Sequence, residues 1–417
     1  MPDAARIAAR LEDLWSIARG PGGGADRPAY SAAEAKAMLL VAGWARELDL
    51  EPGIDAHGNL WALPAGWSGP LVTAGSHVDT VPDGGRYDGA LGTVLGLELA
   101  ADVGGGAAAN AGAAVTAGAT RGAGTAGGAR AGVLVCAAEE APRFGAGTIG
   151  SRLLVGSLQP AALERMHDAA GVSAAHARAG YLEALRELPR VDPPRERLRA
   201  HAEIHIAQRR TLRELGVVTR VASPRRFAVT VTGEAGHSGE VTMEQRHDAL
   251  AAAAQVILAI EAAARAEPPE TVATVGTIAV SPGALGVIPA QARLGIDARG
   301  IDSGSLARLD GEIHARTEEI ARERGVRAEI ALLRGGEPVA LDERLAAAAL
   351  AAARALGVPA AETWSGAGHD AQHLASIVPA LLLFVPLHGG ESHTPDEGAD
   401  MDEILEAMAV ARRVLDT

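Results

Sequence analysis

The first third of the chain alternates amphipathic helical stretches with short apolar strands, and this alternation is the strongest constraint on its fold. Residues 33–48 have the spacing of an amphipathic helix, and an alanine- and leucine-rich helix begins at Ala90. Residues 71–76 and 133–138 have the pattern of buried strands. Strands that are apolar on both faces need helices on both sides of their sheet. The pattern therefore predicts an α/β sheet that is covered on both faces.

The stretch from Arg225 to Leu333 has a different order of elements. Its pattern is strand, helix, strand, strand, helix and strand, with the helices at Met243–Ala266 and Gly304–Arg324. This βαββαβ order is the ferredoxin-like arrangement, and its length of about 110 residues suits a self-contained unit. We therefore predict a smaller domain over residues 215–333.

The end of the chain returns to the first pattern, with a buried strand at Pro379–Pro386 and an amphipathic helix at Met401–Leu415. The small domain is therefore inserted into a larger one that comprises residues 1–214 and 334–417. Within the larger domain, residues 104–132 consist mostly of glycine, alanine and threonine. We predict that they form a flexible, low-complexity surface insertion without a chemical role.

The charge of the chain excludes two classes of partner. The formal net charge is −14 and the isoelectric point is near 5.4, whereas binders of nucleic acids or anionic membranes need basic patches. A few local cations would have to bind an anionic substrate. The N-terminal residues are too polar for a signal peptide, and the one cysteine, Cys136, lies in an apolar strand as a core residue. We therefore expect a cytoplasmic protein with no membrane or nucleic-acid partner.

The segment GSHVDTVPDGGRYDG, residues 75–89, contains the first candidate site. It places His77, Asp79 and Asp88 beyond the end of a buried strand, where open α/β sheets form their sites. An imidazole and a carboxylate suit a metal such as zinc, and a carboxylate two residues from a histidine can accept its second N–H. His77 is therefore a candidate ligand, Asp79 its orienting partner and Asp88 a candidate bridge. Turn formation by Asp and Gly and strand capping by His77 are the structural alternative.

Two adjacent glutamates follow the next buried strand, in AAEEAPRFGAGTIGSR. Adjacent residues at a strand end point in different directions. One of Glu139 and Glu140 can therefore bind metal while the other faces a metal-bound water as a general base. A solvated strand cap is the alternative for this pair when it is considered alone.

Two later segments contribute histidines. HAEIHIAQRRTL contains His201, His205 and Gln208, and GGESHTPDEG places His393 in a glycine-rich loop after a buried strand. A single histidine of this kind is more often structural than catalytic. Five ligand-type side chains next to strand ends or turns are harder to explain as caps, and together they predict a metal site.

With these segments in this order, the chain resembles the M20 family of metallo-amidohydrolases. The resemblance is to the branch of N-carbamoyl-L-amino-acid hydrolases, allantoate amidohydrolases and β-ureidopropionases, and it covers nearly the whole chain. It implies a zinc-exopeptidase-like catalytic domain, an inserted ferredoxin-like lid and dimerisation domain, and a homodimer. The matching segments are GSHVDTVPDGGRYDGALG, EEAPRFGAGTIGSR, HIAQ, GHSGEVTMEQRHDA, VIPA, DAR, SGAGHDA and SHTPDEG.

The resemblance implies two divalent cations per subunit, with zinc as the first expectation and manganese, cobalt or nickel as alternatives. Asp88 would bridge the cations, Glu139 would be the general base, and Asp79 would support catalysis by orienting His77. His205 favours the ureide-cleaving branch, because peptidase-like members place an acidic ligand there. His77 and Glu140 would belong to separate metal shells. The five implied metal ligands are His77, Asp88, Glu140, His205 and His393.

The resemblance also implies four substrate contacts. A donor such as His237 would stabilise the charge that develops on the ureido carbonyl, and Arg299 could grip a carboxylate bidentately. Capping of a turn by His237 and an ordinary surface position for Arg299 are the structural alternatives. The four implied contacts are Gln208, His237, Arg299 and His369.

The chain departs from the family pattern at positions beside these contacts. Where the family usually has HIEQG, this chain has Ala207 and Arg209, and where it has NVIPG, this chain has Gly286 and Ala290. Gly286 removes an amide expected to contact the substrate. Arg209 either recruits an extra anionic group or points to solvent. These departures leave the substrate open, although the metal ligands are complete.

The function predicted from the sequence is hydrolysis of a linear amide C–N bond other than a peptide bond. The substrate would be a small anionic ureido compound of the N-carbamoyl amino acid or allantoate type. A metal-bridged water activated by Glu139 would attack the carbamoyl carbon. The alternatives are hydrolysis of an N-acyl amino acid or dipeptide with the same metals, and a non-catalytic binding protein that has kept the fold.

Overall fold

The computed structural model describes residues 3–104, 128–209, 211–389 and 391–416. The chain separates into two compact units. Unit 1 consists of Met1–Thr219, Ala340–Thr363 and Gly368–Thr417, and unit 2 consists of Arg220–Val339 and Trp364–Ala367.

Ten α-helices lie in the described part of the chain. They are α1 (Ala4–Trp15), α2 (Ala32–Glu47), α3 (Ala90–Gly104), α4 (Ile149–Val155), α5 (Ala174–Ala184), α6 (Ala249–Ala266), α7 (Ser303–Glu323), α8 (Glu343–Leu356), α9 (Asp370–Leu374) and α10 (Met401–Leu415). Most begin at an N-cap Ser or Asp whose side chain accepts an N–H of the first turn, which otherwise has no partner. These caps are Asp3, Ser31, Ser173, Asp248, Asp302, Asp342 and Asp400.

The strands of the described residues vary from two to ten residues in length. They are β1 (Leu50–Ile54), β2 (Leu60–Pro64), β3 (Leu71–Ala74), β4 (Arg130–Val135), β5 (Leu198–Ile206), β6 (Leu215–Val221), β7 (Ser223–Thr232), β8 (Gly236–His237), β9 (Val272–Ser281), β10 (Val287–Ile288), β11 (Gln291–Gly300), β12 (Arg327–Arg334), β13 (Val339–Ala340), β14 (Ala360–Ser365), β15 (Ala380–Val385), β16 (His388–Gly389) and β17 (Glu397–Gly398).

The large sheet has the order β1-β2-β4-β3-β5-β15-β6-β13, with β14 pairing with β6. Its central strands β4, β3, β5 and β15 are mutually parallel, whereas β1, β2 and β6 pair antiparallel with their neighbours. Neighbouring residues of one strand, such as Leu71 and Val72 or Val133 and Leu134, belong to separate hydrophobic clusters. Because side chains alternate across a strand, these clusters lie on opposite faces of the sheet. The predicted mixed α/β class is confirmed.

Helix α3 packs tightly against the strands that lead to the candidate site. A Cβ atom added at Gly92 would lie 2.3 Å from the carbonyl oxygen of Ile204, and one added at Gly96 would lie 2.7 Å from that of Ala74. Only glycine allows the helix to approach the backbones of β5 and β3 this closely. The N-terminus of α3 is thereby held beside the ends of these strands.

Unit 2 contains a four-stranded sheet in the order β12-β7-β11-β9, in which all neighbouring strands are antiparallel. Helices α6 and α7 pack on one of its faces and bury Phe227, Val229, Ile296 and Ile313. The strands of this sheet and the two helices follow one another in the order β7, α6, β9, β11, α7, β12, and the short strands β8 and β10 pair with each other outside the sheet. A register shift between Leu332 and Arg334 interrupts the pairing of β12 with β7.

Helix α6 begins later than the sequence pattern predicts. The prediction was Met243–Ala266, but Asp248 caps the helix, and Met243–Gln245 forms a separate short 3-10 turn. Among the described helices, α6 alone is long and apolar enough to cross a membrane by length and composition. Its buried residues, which include Val256 and Ile260, pack instead on the sheet of unit 2.

Only part of the predicted flexible insertion at 104–132 falls within the described residues. Residues 105–127 lie outside them. Strand β4 begins at Arg130 and buries Ala131, so the sheet extends into the C-terminal end of the segment. Cys136 is buried, as predicted for a core residue.

Candidate metal centre

Residues from several distant segments meet at the carboxyl ends of the parallel strands of unit 1. His77 follows β3, the Glu139–Glu140 pair follows β4, and His205 is the penultimate residue of β5. Asp88 lies two residues before the start of α3, and His393 lies in the segment between β16 and β17. Since the carboxyl ends of parallel strands share one edge of a sheet, the fold brings these side chains together.

Asp88 lies at the centre of the group. Its Oδ1 is 3.2 Å from Nε2 of His205 and 3.5 Å from Nε2 of His77, and its Oδ2 is 3.1 Å from Nε2 of His393. Oε1 of Glu140 is 3.6 Å from Nε2 of His393. Oδ1 of Asp88 therefore faces the imidazoles of His77 and His205, and its Oδ2 faces that of His393.

The ligand atoms form two clusters that share Asp88. One contains His77, Asp88 and His205, the other contains Asp88, Glu140 and His393, and the ligand atoms within each cluster lie within 4.8 Å of one another. Nitrogen and carboxylate donors of this kind suit borderline divalent cations such as zinc. Oε1 of Glu140 is buried and has no hydrogen-bond partner among the described residues, as expected of a ligand atom reserved for a cation. The residues therefore fit a pair of divalent cations.

The turn that carries both glutamates is held by Asp79. Its Oδ1 accepts the N–H of Glu139 at 3.1 Å, and its Oδ2 accepts the N–H of Glu140 at 2.9 Å. The preceding residue, Ala138, has a φ of 55°, in the left-handed region that non-glycine residues rarely adopt. The Asp79 carboxylate lies 3.4 Å from Nδ1 of His77, but the Asp79 carbonyl oxygen is closer, at 3.0 Å. The predicted orientation of His77 by Asp79 thus relies mainly on its backbone, while its side chain fixes the glutamate turn.

A second buried carboxylate, that of Glu34, holds the same turn. Its Oε1 accepts the N–H of Ala138 at 2.8 Å, and its Oε2 accepts the N–H of Tyr30 at 2.5 Å. Glu34 is fully buried, and it lies in the first turn of α2. Three consecutive N–H groups, from residues 138 to 140, therefore donate to two carboxylates.

Other hydrogen bonds fix the backbone of Asp88 and the ring of His205. Glu397 accepts the N–H of Tyr87 at 2.8 Å and that of Asp88 at 3.1 Å through Oε2. Nδ1 of His205 lies 2.9 Å from the carbonyl oxygen of Ile206, which leaves Nε2 to face Asp88. Partners of this kind set the tautomer and the ring orientation of a metal-binding histidine.

Burial and mutual charge shift the titration of the centre. Burial alone would raise the pKa of Asp88, but the imidazoles around it, led by His205, hold it well below its usual range. The hydrogen bond to Asp88 raises the pKa of His393 to about 9. Burial raises the pKa of Glu140 to about 7, and it raises that of Glu139 well above its usual range. The imidazoles thus stabilise the charge of Asp88, whereas burial disfavours the charges of Glu139 and Glu140.

His201 is separated from the centre although it belongs to the same sequence segment as His205. It is buried in β5, its Nδ1 lies 3.0 Å from Oγ1 of Thr73, and burial lowers its pKa to about 3. It is therefore a neutral core residue.

Two of the four predicted substrate contacts lie in unit 1. His369 is buried, and its ring meets that of His205 edge to face with centroids 4.7 Å apart. Burial, followed by the charge of His205, holds the pKa of His369 well below its usual range. Gln208 is half-buried just beyond β5. Both positions are compatible with the predicted contacts.

The other two predicted contacts lie in unit 2. His237 is exposed at the end of β8, and its Nδ1 accepts the N–H of Gly239 at 3.1 Å. Arg299 donates from Nε to Oδ1 of Asp297 at 2.7 Å and from a terminal nitrogen to the carbonyl oxygen of Gly366 at 3.1 Å. His237 thus caps a turn and leaves Nε2 exposed, whereas Arg299 is oriented by two partners.

The departures from the family pattern have defined environments. Arg209 is half-buried and donates to Oγ1 of Thr363 at 2.6 Å, so it neither extends freely into solvent nor lacks a partner. Ala207 is buried. Gly286 is exposed, and a Cβ atom added there would have no heavy atom within 4 Å. The space of the missing asparagine side chain is therefore open.

The sequence patterns missed three carboxylates that support the centre. Glu34 and Glu397 hold backbone N–H groups of the site, and Glu203 accepts the hydroxyl of Ser76 at 2.7 Å and the N–H of Ala371 at 2.8 Å. The spacing of Ser31 and Glu34 is a sequence signal that includes Glu34, but it is that of an ordinary capping box and does not indicate a contact with the site. Glu203 and Glu397 lie inside the motifs HAEIH and PDEG, where residue type alone could have marked them.

Comparison with known proteins places this geometry in context. A sequence model of peptidase family M20/M25/M40 matches residues 73–417. The chain is 36% identical over 406 residues to an N-carbamoyl-L-amino acid amidohydrolase of Geobacillus stearothermophilus, an alignment that covers 95% of this chain and 94% of that protein. It is 34% identical over 399 residues to an allantoate amidohydrolase of Bacillus subtilis, covering 93% of this chain and 91% of the relative. An amidase of the hydantoinase/carbamoylase family from Burkholderia multivorans has a crystal structure that matches with a TM-score of 0.82 at 28% identity, covering 99% of this chain and 97% of that one.

Proposed function

The chain belongs to peptidase family M20/M25/M40, and we propose that it hydrolyses a linear amide C–N bond in a small ureido compound, of the N-carbamoyl amino acid or allantoate type. The observation that carries this proposal is the pair of ligand clusters that share Asp88. The names of the relatives indicate that the substrate belongs to the ureido compounds. Glu139, whose Oε2 lies 3.7 Å from Nε2 of His77, supplies a base at the edge of the centre.

Five residues would hold two divalent cations, zinc being the first candidate. When bound, such cations polarise a substrate carbonyl and make a water molecule more acidic. Asp88 would bind to both, and the four remaining ligands would divide between the two shells. The full set is His77, Asp88, Glu140, His205 and His393.

Glu139 would move the proton. Its carboxylate takes a proton from the attacking water and gives it to the departing nitrogen, and burial favours this exchange because it raises the pKa of the carboxyl group. Asp79 holds the backbone of Glu139 in place through its N–H. A base fixed in this way needs little reorganisation when the proton moves.

Arg299 would bind the substrate carboxylate. Of the five N–H groups of a guanidinium, three are engaged with Asp297 and Gly366, so the two terminal nitrogens each retain one donor. That pair can bind a carboxylate bidentately. The exposed Nε2 of His237 would donate to the carbonyl oxygen as it gains charge, and Gln208 and His369 would contact the ureido group.

Unit 2 would serve as the inserted ferredoxin-like lid and dimerisation domain, corresponding to the predicted residues 215–333. Strand β9 lies at an edge of its sheet, and Val272 and Ile278 on it are 49% and 48% exposed. An exposed apolar edge strand invites pairing with a second copy. We therefore propose a homodimer. A reducing cytoplasm is the proposed compartment, because the one cysteine is buried and unpaired.

The test is a substrate panel on protein with measured metal content. N-carbamoyl amino acids, allantoate, an N-acetyl amino acid and a dipeptide are compared by the release of ammonia or free amine. Turnover of the N-acetyl or dipeptide forms alone would replace the proposal with the acylase alternative, which the open space at Gly286 favours. No turnover of any form would indicate a binding protein.

Glu139→Gln tests the base. The variant should lose more than about 1,000-fold in kcat, since it removes the proton acceptor, and it should keep its metal content. Glu187→Gln makes the same exchange at an exposed residue and should behave as wild type. Undiminished turnover by Glu139→Gln would reject the assigned base.

A further inference from the structure

The open face of the unit 2 sheet carries three arginines around one carboxylate. We call Arg226, Arg299 and Arg334, together with Asp297, the arginine row. Nε of Arg226 donates to Oδ2 of Asp297 at 2.8 Å, and Nε of Arg299 donates to Oδ1 at 2.7 Å. Asp297 is thus shared by two guanidiniums.

The strand register aligns these side chains. Asp297 of β11 lies opposite Arg226 of β7, which in turn lies opposite Arg334 of β12. Directly opposed residues of neighbouring strands point to the same face of a sheet, and Arg299 lies two residues beyond Asp297 along β11. All four side chains therefore share the face that α6 and α7 leave open.

A β-bulge is responsible for the position of Arg334. Leu332 pairs with Phe227, and the next pair is Arg334 with Arg226, so Leu333 is an extra residue in β12. In a regular strand Leu333 would lie opposite Arg226, and Arg334 would point to the face that is packed by helices. Bulges are common beside functional sites, where they redirect a side chain. Here the bulge directs a cation towards two others.

One cation of the row, Arg334, lacks a partner among the described residues. The Arg334 guanidinium has no hydrogen bond or ion pair with any residue in the described ranges, whereas Arg226 and Arg299 both donate to Asp297. Arg334 is half-buried, and burial, followed by the charges of Arg226 and Arg299, lowers its pKa. A half-buried guanidinium without a partner is unfavourable, so Arg334 is suited to bind an anion from outside the described residues.

We propose that the arginine row binds a second anionic group of the substrate, so that the preferred ureides are N-carbamoyl derivatives of acidic amino acids. The inference rests on the proposed function, in which Arg299 binds the first carboxylate. A second carboxylate would then pair with Arg334, the guanidinium of the row that has no hydrogen bond or ion pair among the described residues. Arginine forks match the planar geometry of carboxylates.

The first experiment compares isosteric substrates. Initial rates are measured with N-carbamoyl-L-aspartate and N-carbamoyl-L-asparagine, and with the corresponding glutamate and glutamine pair. Wild-type kcat/KM should favour the acids, and Arg334→Met should lower it by about tenfold or more for the acids and by less than about twofold for the amides. Arg334→Lys, which keeps the charge, should restore part of the loss.

Arg293→Met is the matched control. Arg293 is exposed on β11, on the same face of the sheet, and lies outside the row. It should not alter the ratio of acid to amide rates. An equal loss on acids and amides in Arg334→Met, or no preference of the wild type for acids, would overturn the proposal.

A binding measurement separates this inference from the proposed hydrolysis. Calorimetric titration of the metal-loaded full chain with L-aspartate and with L-asparagine requires no turnover. If no ureide is hydrolysed but aspartate binds more tightly than asparagine, and Arg334→Met removes the difference, the hydrolase proposal fails and the anion site stands. If ureides are hydrolysed but aspartate and asparagine bind equally, the anion site fails and the hydrolase proposal stands.

Discussion

Replacing Glu34 by glutamine should damage a centre that Glu34 does not touch directly. Both oxygens of Glu34 accept backbone N–H groups, from Tyr30 and Ala138. A glutamine side chain has one acceptor oxygen, and its NH2 group can only donate, so one buried N–H would face another donor. A buried unpaired donor costs about 1–3 kcal/mol, and the left-handed Ala138 would lose part of the support that offsets a strain of about 1–3 kcal/mol. The free energy of unfolding should fall by about 2–4 kcal/mol.

The effect on activity should exceed what this loss of stability explains. The turn that follows Ala138 carries both Glu139 and Glu140, and a displacement of about 1 Å can lower a rate by about 100-fold. Glu34→Gln should therefore reduce kcat by about 10- to 100-fold and reduce the bound metal, with a smaller change in KM. Steady-state kinetics, metal analysis and chemical denaturation on the same preparation measure all three.

Ser31→Ala is the matched control. Ser31 caps the same helix by accepting the N–H of Glu34 at 3.1 Å, and among the described residues it makes no hydrogen bond to the glutamate turn. Its loss should cost about 1 kcal/mol of stability and leave kcat and metal content unchanged. If Glu34→Gln matched Ser31→Ala in stability and retained wild-type kcat and metal content, Glu34 would be a helix cap and nothing more.

Two further predictions concern glycines. Gly286→Asn restores the side-chain amide that the family usually has at this position, and it does so in open space. It should therefore change the free energy of unfolding by less than about 0.5 kcal/mol and lower the KM for N-carbamoyl amino acids. An unchanged KM in initial-rate assays would argue against a contact between this amide and the substrate. Gly92→Ala should destabilise the protein by about 1–3 kcal/mol, because its Cβ would lie 2.3 Å from a backbone oxygen. Gly43→Ala, inside α2 where a Cβ atom meets nothing within 4 Å, should instead stabilise the protein by up to about 1 kcal/mol. Calorimetric melting of both variants checks the opposite signs.

The fold was predictable where hydrophobic period and capping agree. Helix α10 spans the predicted Met401–Leu415, because Asp400 caps it and its apolar spacing continues to the end. Helix α6 was predicted too long, because the spacing before Asp248 resembles a helix while the cap fixes the true start. Which strands neighbour one another was not predicted, since that depends on pairings between segments far apart in the chain.

The candidate site was likewise predictable only in part: the ligand residues were, and the hydrogen bonds that hold them were not. The ligand-type residues sit in short motifs at strand ends, so residue type and spacing were enough to nominate them. The hydrogen bond from Ala138 to Glu34 joins residues 104 positions apart, and no local pattern reports it. Asp79 was assigned to His77 because of its spacing, whereas its carboxylate oxygens accept from Glu139 and Glu140, about 60 residues away.

The order of strands in the large sheet has a consequence for biosynthesis. Strand β15 lies between β5 and β6, although it follows both in sequence and is separated from them by almost all of unit 2. During synthesis, both segments of unit 2 precede β15, so unit 2 can fold before β15 emerges from the ribosome. Until then, β5 and β6 lack the strand that lies between them in the sheet of unit 1. Within this sheet β15 is inserted last, and His393 follows it, so a nascent chain cannot assemble the full ligand set until the segment after β15 has been synthesised.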